Sequence, residues 1–109
     1  MVWAGDADWI CNWYGNYDAA NAVDYPGKEE FNGKDLKPYT VNGKERGTFK
    51  NVENFSFLRV YEAGHMVMYY REYSCPVSHV GQCADRLPEP EISLQAFVQT
   101  MQKKPISST

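Results

Sequence analysis

The chain has 109 residues, 43% of them hydrophobic and 15% aromatic, with a formal net charge of −3. That length and apolar content specify one folded domain with a modest core and exclude disorder over most of the chain. The scattered lysines and arginines form no basic stripe for nucleic acid, and no apolar run approaches the roughly 18 residues of a membrane span.

In chain order, Val2-Trp3-Ala4 is a short unbroken apolar run, as in a strand buried in a parallel sheet. It stops at Gly5, and Asp6 and Asp8 follow, which also interrupts any apolar signal-peptide region. From about Trp9 to Val23 the apolar residues Trp9, Ile10, Trp13, Ala19, Ala20 and Val23 fit helical spacing loosely. Gly15 and Asn16 divide that stretch, and Asp8 stands where an N-cap would stand. Tyr25-Pro26-Gly27 reads as a turn, followed by a polar segment to Lys37.

The stretch from Tyr39 to Phe49 places β-formers on both sides of Asn42-Gly43. That dipeptide supplies the positive φ angles of a tight hairpin turn, so a hairpin is predicted there. Residues Asn54 to Glu62 alternate Phe55, Phe57, Arg59 and Tyr61 against Ser56, Leu58 and Val60, as in a strand partly covered on both faces. Ala63-Gly64-His65-Met66-Val67 then reads as a small-residue loop at the strand's C-terminal end. Little regular pattern runs from Arg71 to Glu89. The last predicted element is a helix opening at Pro90, with Leu94, Phe97, Val98 and Met101 as its apolar stripe and Pro105 as its stop. Residues 103–109 read as a flexible, frayed tail. The order is strand, helix, hairpin, strand, histidine loop and helix. It predicts an α/β arrangement with too few strands for a whole domain: an incomplete sheet with flanking helices and a β-hairpin.

Cys11, Cys75 and Cys83 make an odd count, which leaves at least one thiol free or paired outside the chain. Cys75, His79 and Cys83 are spaced as metal ligands on a helix, but Pro76 and Gly81 oppose that helix and a fourth ligand is lacking, so no metal is expected. A Cys75–Cys83 disulfide is geometrically easier. Asn54-Phe55-Ser56 is a glycosylation sequon, placed by the prediction in a strand near the histidine loop and therefore expected to stay unused. The abundant Trp and Tyr raise a carbohydrate-binding surface as one reading, and packing against further polypeptide as the favoured one.

Active groups of open α/β sheets collect at the carboxyl ends of strands. Asp6 and Asp8 follow one predicted strand and His65 another. An aspartate oriented toward a histidine is two thirds of a charge-relay triad, which α/β hydrolases carry in the order Ser, Asp, His. Spacing alone favours the plainer reading, with Asp8 a cap and His65 a loop residue.

Two longer motifs change that weighting. "AGDADWICNWYGN" and "FSFLRVYEAGHMV" together resemble the C-terminal part of the serine carboxypeptidase family, α/β hydrolases that remove C-terminal residues from peptides. The resemblance covers about residues 1–70 and 90–104. It implies that Asp8 is the catalytic aspartate, His65 the catalytic histidine and Asp6 a conformational residue of the turn. It also implies that Cys11 lines the substrate site and that Met66 lies beside the leaving-group pocket, whereas by residue type alone Cys11 reads equally as a small buried apolar group. The implied partners are peptide C-termini, without a cofactor, a membrane or nucleic acid. The implied localisation is the secretory route, vacuolar or extracellular.

The chain departs from the family pattern in four respects. None of its six serines lies in Gly-x-Ser-x-Gly, and no Gly-Gly stretch supplies an oxyanion hole. Met1 stands inside what reads as a central strand, so a fragment or truncated product is expected. Met68 replaces a proline. Residues 71–89 are a family-atypical insert, which we read as a translated intron: the codons of Arg71-Glu72-Tyr73 accommodate a 5′ splice site, and excision joins Tyr70 to Pro90 through a glutamine codon. Two functional readings follow. The chain is the C-terminal segment of a serine carboxypeptidase supplying Asp and His, or it is a catalytically inactive truncated product or partner-binding fragment.

Overall fold

A computed structural model describes residues 1–65 and 90–109. Strand β1 (Val2–Gly5) leads into helix α1 (Trp13–Ala22) and the short helix α2 (Lys28–Gly33). Strands β2 (Lys37–Val41), β3 (Lys44–Val52) and β4 (Phe55–Val60) follow, and helix α3 (Pro90–Met101) is the last element. The four strands form one mixed sheet in the order β1-β4-β3-β2, in which β1 pairs with β4 in parallel and the others are antiparallel. It is a small partial α/β domain.

The hairpin forms where it is predicted. Asn42 and Gly43 take φ values of 51° and 78°, the left-handed conformation that lets β2 return directly as β3. Strand β4 is covered on both faces, as its apolar run requires. Phe57 packs with Phe31, Ala20 and Val52 beneath α1 and α2. Leu58 and Val60 point the other way and pack with Tyr39, Val41, Ile92, Ala96 and Ile106. Lys50 of β3 is buried on the α1/α2 face at 3% exposure. Its ammonium donates to Tyr17 Oη (3.1 Å), Asn21 Oδ1 (2.8 Å) and the Phe31 carbonyl (2.9 Å), and it lies over the Tyr17 and Phe31 rings.

Several sequence-based expectations are corrected. Helix α1 begins at Trp13, and its N-cap is Asn12, whose Oδ1 accepts from the Gly15 amide. Gly15 and Asn16 do not interrupt it, and Asn16 Nδ2 donates back to the carbonyls of Cys11 and Asn12, which ties the first turn to the segment before it. The polar segment before Lys37 contains α2, which six residues with one buried apolar side chain, Phe31, could not announce by periodicity. On α3 the predicted stripe is the outer one: Leu94, Phe97, Val98 and Met101 are exposed, and Ile92 and Ala96 face the sheet. That helix ends ahead of Pro105, by a C-terminal motif in which Lys103 takes φ 54° and Lys104 N–H donates to the Gln99 carbonyl.

Residues 103–109 are tied down where fraying is expected. Ile106 is 2% exposed, Thr109 and Thr40 are joined through the Thr109 N–H and the Thr40 carbonyl at 2.9 Å, and Ser108 Oγ donates to the Pro38 carbonyl at 2.9 Å. Asn54 of the sequon is exposed in the turn between β3 and β4, at the end of β4 opposite His65. Met66, Met68, Cys75, His79, Cys83 and the insert 71–89 lie outside the described residues. Among the described residues, no helix is long and apolar enough to cross a membrane.

Candidate active site

The parallel pairing of β1 with β4 fixes the site. Its register sets Gly5 beside Val60, so both strands end at the same level and the segments after them run side by side. The chains approach closely there: a Cβ on Gly5 would overlap the Ala63 carbonyl, which requires glycine. The Asp6 amide donates to the Val60 carbonyl and the Ala7 amide to the Ala63 carbonyl, each at 3.0 Å.

Asp8 and His65 meet above this seam. Asp8 Oδ2 lies 2.9 Å from His65 Nδ1 although 57 residues separate them. Asp8 Oδ1 accepts from the amides of Ile10 (2.9 Å) and Cys11 (3.0 Å), so the carboxylate closes a tight turn ahead of α1 and does not cap the helix itself. Its side chain is 5% exposed, whereas that of His65 is 59% exposed. Burial alone pushes the Asp8 carboxyl up. The Cys11 amide, the His65 ring and the Ile10 amide together pull harder, and the carboxyl lies below its ordinary value. An ionised, sheltered carboxylate is thus fixed at one ring nitrogen of an open imidazole. That contact sets the tautomer with the proton on Nδ1 and leaves Nε2 as the basic nitrogen.

Cys11 is a free thiol, exposed among the described residues. One donor atom each from Asp8, Cys11 and His65 lies within 4.8 Å of the others. Exposed Trp9, Ile10 and Tyr14 flank the turn.

Sequence reasoning singles out Asp8, His65 and Cys11, and the structure brings the three together; Met66 lies outside the described residues. It passes over Arg59 and Trp13. Arg59 Nη2 donates to Asp6 Oδ2 at 3.1 Å, and its guanidinium stacks 4.1 Å from the Trp13 ring centroid. The signal was present: a lone cation in the apolar run of β4, in phase with Phe55 and Phe57.

Comparisons with known proteins give the chain a family. Residues 1–75 match the family described as serine carboxypeptidase. Carboxypeptidase S1 of Penicillium janthinellum is 58% identical across all 109 residues, which make up 22% of that protein. Carboxypeptidase Y of Schizosaccharomyces pombe is 51% identical over 67 residues, 62% of this chain and 7% of that protein. A serine carboxypeptidase-like protein of Oryza sativa is 46% identical over 67 residues, 62% of this chain and 16% of that protein. The chain therefore spans about a fifth or less of the length of these relatives. With a match over more than half its length, it belongs to the serine carboxypeptidase family.

Proposed function

We propose that this chain supplies the aspartate and histidine of a serine carboxypeptidase's charge-relay system, within a sheet that forms the C-terminal part of an α/β-hydrolase fold. The observation that carries the reading is the 2.9 Å contact between Asp8 Oδ2 and His65 Nδ1 at the carboxyl ends of adjacent parallel strands. The carboxypeptidase relatives favour it over a non-enzymatic, partner-binding role.

In this mechanism His65 Nε2 takes the proton of a serine hydroxyl contributed by another part of the protein as the serine oxygen adds to the last peptide carbonyl of a substrate. Asp8 holds the ring in place and stabilises the imidazolium that forms. His65 then gives the proton to the departing nitrogen. The C–N bond breaks, the C-terminal amino acid leaves and an acyl-enzyme remains. Water next attacks the acyl carbon, with His65 as base toward the water and then as acid toward the serine oxygen, so serine and neutral imidazole are restored. The exposed Cys11 thiol and Met66 border the substrate, peptides with free C-termini are the substrate class, and the secretory route is the setting.

The test is a chimera in which this segment replaces the corresponding part of the Penicillium enzyme. We expect it to release C-terminal residues from blocked dipeptides. Asp8→Asn in that chimera should lower kcat by about 10⁴-fold, the scale on which loss of the orienting aspartate acts in such triads. A variant chimera within a few fold of the parent overturns the assignment.

A further inference from the structure

We propose that Asp6 and Arg59 are positioning residues that hold the Asp8 and His65 turns at bonding distance. The clamp rests on the reading of Asp8 and His65 given above. It joins three segments. Asp6 stands two residues before Asp8, and its Oδ2 receives the Arg59 guanidinium at 3.1 Å. Its Oδ1 accepts from the Glu62 amide at 2.7 Å, three residues before His65. Glu62 takes φ 57°, the left-handed conformation of a tight turn, as the chain leaves β4.

The third segment is α1. Arg59 lies between the Trp13 ring, 4.1 Å from its Cζ, and the Tyr61 ring, 5.3 Å away. Trp13 is the first residue of α1, so the stack also anchors the helix that follows the Asp8 turn. The guanidinium is planar and offers several donors in a fixed fork, so one side chain can stack on rings and bond a carboxylate together. The Asp6 and Arg59 side chains are only 20% and 27% exposed, which limits their freedom and screens the pair from salt. Neither residue bonds Asp8 or His65 directly. Their effect on the reaction runs through the spacing of the two turns.

The test reads the His65 ring in this 109-residue chain by nitrogen NMR, with the second histidine removed by His79→Gln. In the parent, neutral His65 should carry its proton on Nδ1, the tautomer that Asp8 selects. Arg59→Met, which keeps an apolar stem, and Asp6→Asn, which keeps an acceptor for the Glu62 amide, should shift His65 toward the Nε2–H form of free imidazole while the amide spectrum stays dispersed. Unchanged tautomers in both folded variants overturn the clamp. If Arg59→Met unfolds the chain, Asp6→Asn decides. If both unfold it, the same substitutions in the chimera decide, where we expect kcat to fall about 10- to 100-fold with KM unchanged, the scale of an ångström-sized misplacement; a kcat within a factor of two of the parent chimera overturns the clamp. A parent His65 that shows no Nδ1–H preference, or one indifferent to Asp8→Asn, identifies a different failure, that of the Asp8–His65 pair itself.

Discussion

The two faces of the sheet are built by different means. Beneath α1 and α2 the aromatic cluster of Phe31, Phe55, Phe57, Tyr17 and Tyr25 surrounds a buried cation, Lys50, whose ammonium bonds three neutral acceptors and touches two ring faces. On the other face, α3 and the chain's last residues close an apolar layer of Leu58, Val60, Ile92, Ala96 and Ile106. Hydrogen bonds there join the buried Tyr39 to α3. Tyr39 Oη donates to Gln99 Oε1 and accepts from Gln95 Nε2, each at 3.1 Å, and burial pushes that phenol up, against a smaller lowering by Gln95. The α1/α2 face also carries the site, because Trp13, Arg59 and the Asp8 turn all lie on its edge. A face that must hold charges in register uses directional contacts, whereas a face that only closes the core relies on area.

The contrast can be tested by substitution, in order of expected size. Phe31→Ala should be the most destabilising single change, about 3–5 kcal/mol, because the side chain is fully buried, stacks edge-on with Phe55 and packs against Lys50. Urea unfolding followed by tryptophan fluorescence measures it. Ile106→Ala on the opposite face should cost about 2–4 kcal/mol and release the tail, read as faster amide exchange at Thr109. An Ile106 effect near zero would show that α3 alone closes that face. Lys50→Met should cost about 1–3 kcal/mol, since it leaves the Asn21 and Phe31 oxygens and the Tyr17 hydroxyl without their donor. If Lys50→Met is neutral, the buried cation adds no stability and the two faces are energetically alike.

The smallest effect separates the site from both cores. Asp8 has a carboxyl lowered in the folded state, so its contribution to stability is fully present above the ordinary carboxylate value of about 4 and declines as pH falls through the lowered one. The Asp8–His65 hydrogen bond should therefore persist in acid after ordinary surface carboxylates have taken up protons. A pH titration of the His65 ring checks this, and a bond that already breaks at about pH 4 or above contradicts it.

Much of this arrangement is legible before any coordinates. The hairpin is local, since Asn42-Gly43 alone supplies its backbone angles. The double covering of β4 shows in an apolar run interrupted only by Ser56 and Arg59. The start of α1 is misplaced because Asp8 looks like a cap, when its two amide bonds close a separate turn and Asn12 takes the capping role. For α3 the helix itself is legible but not its inner face. Leu94, Phe97, Val98 and Met101 form the stronger apolar stripe, whereas Ile92 and Ala96 stand among Ser93, Gln95 and Gln99. Only packing against Tyr39 and Val60 selects between them.

What the sequence determined by itself is what a few neighbouring residues encode: turn angles, strand alternation, helical period and the chemistry of Asp8, Cys11 and His65. The tertiary structure decided which of those groups meet. Asp8 reaches His65 because β1 and β4 pair in parallel and in a register that ends both strands together. Arg59 acquires its place between Trp13 and Asp6 only when α1 folds back on that sheet. Partners 57 residues apart share no local rule, and their meeting follows from strand register and packing alone.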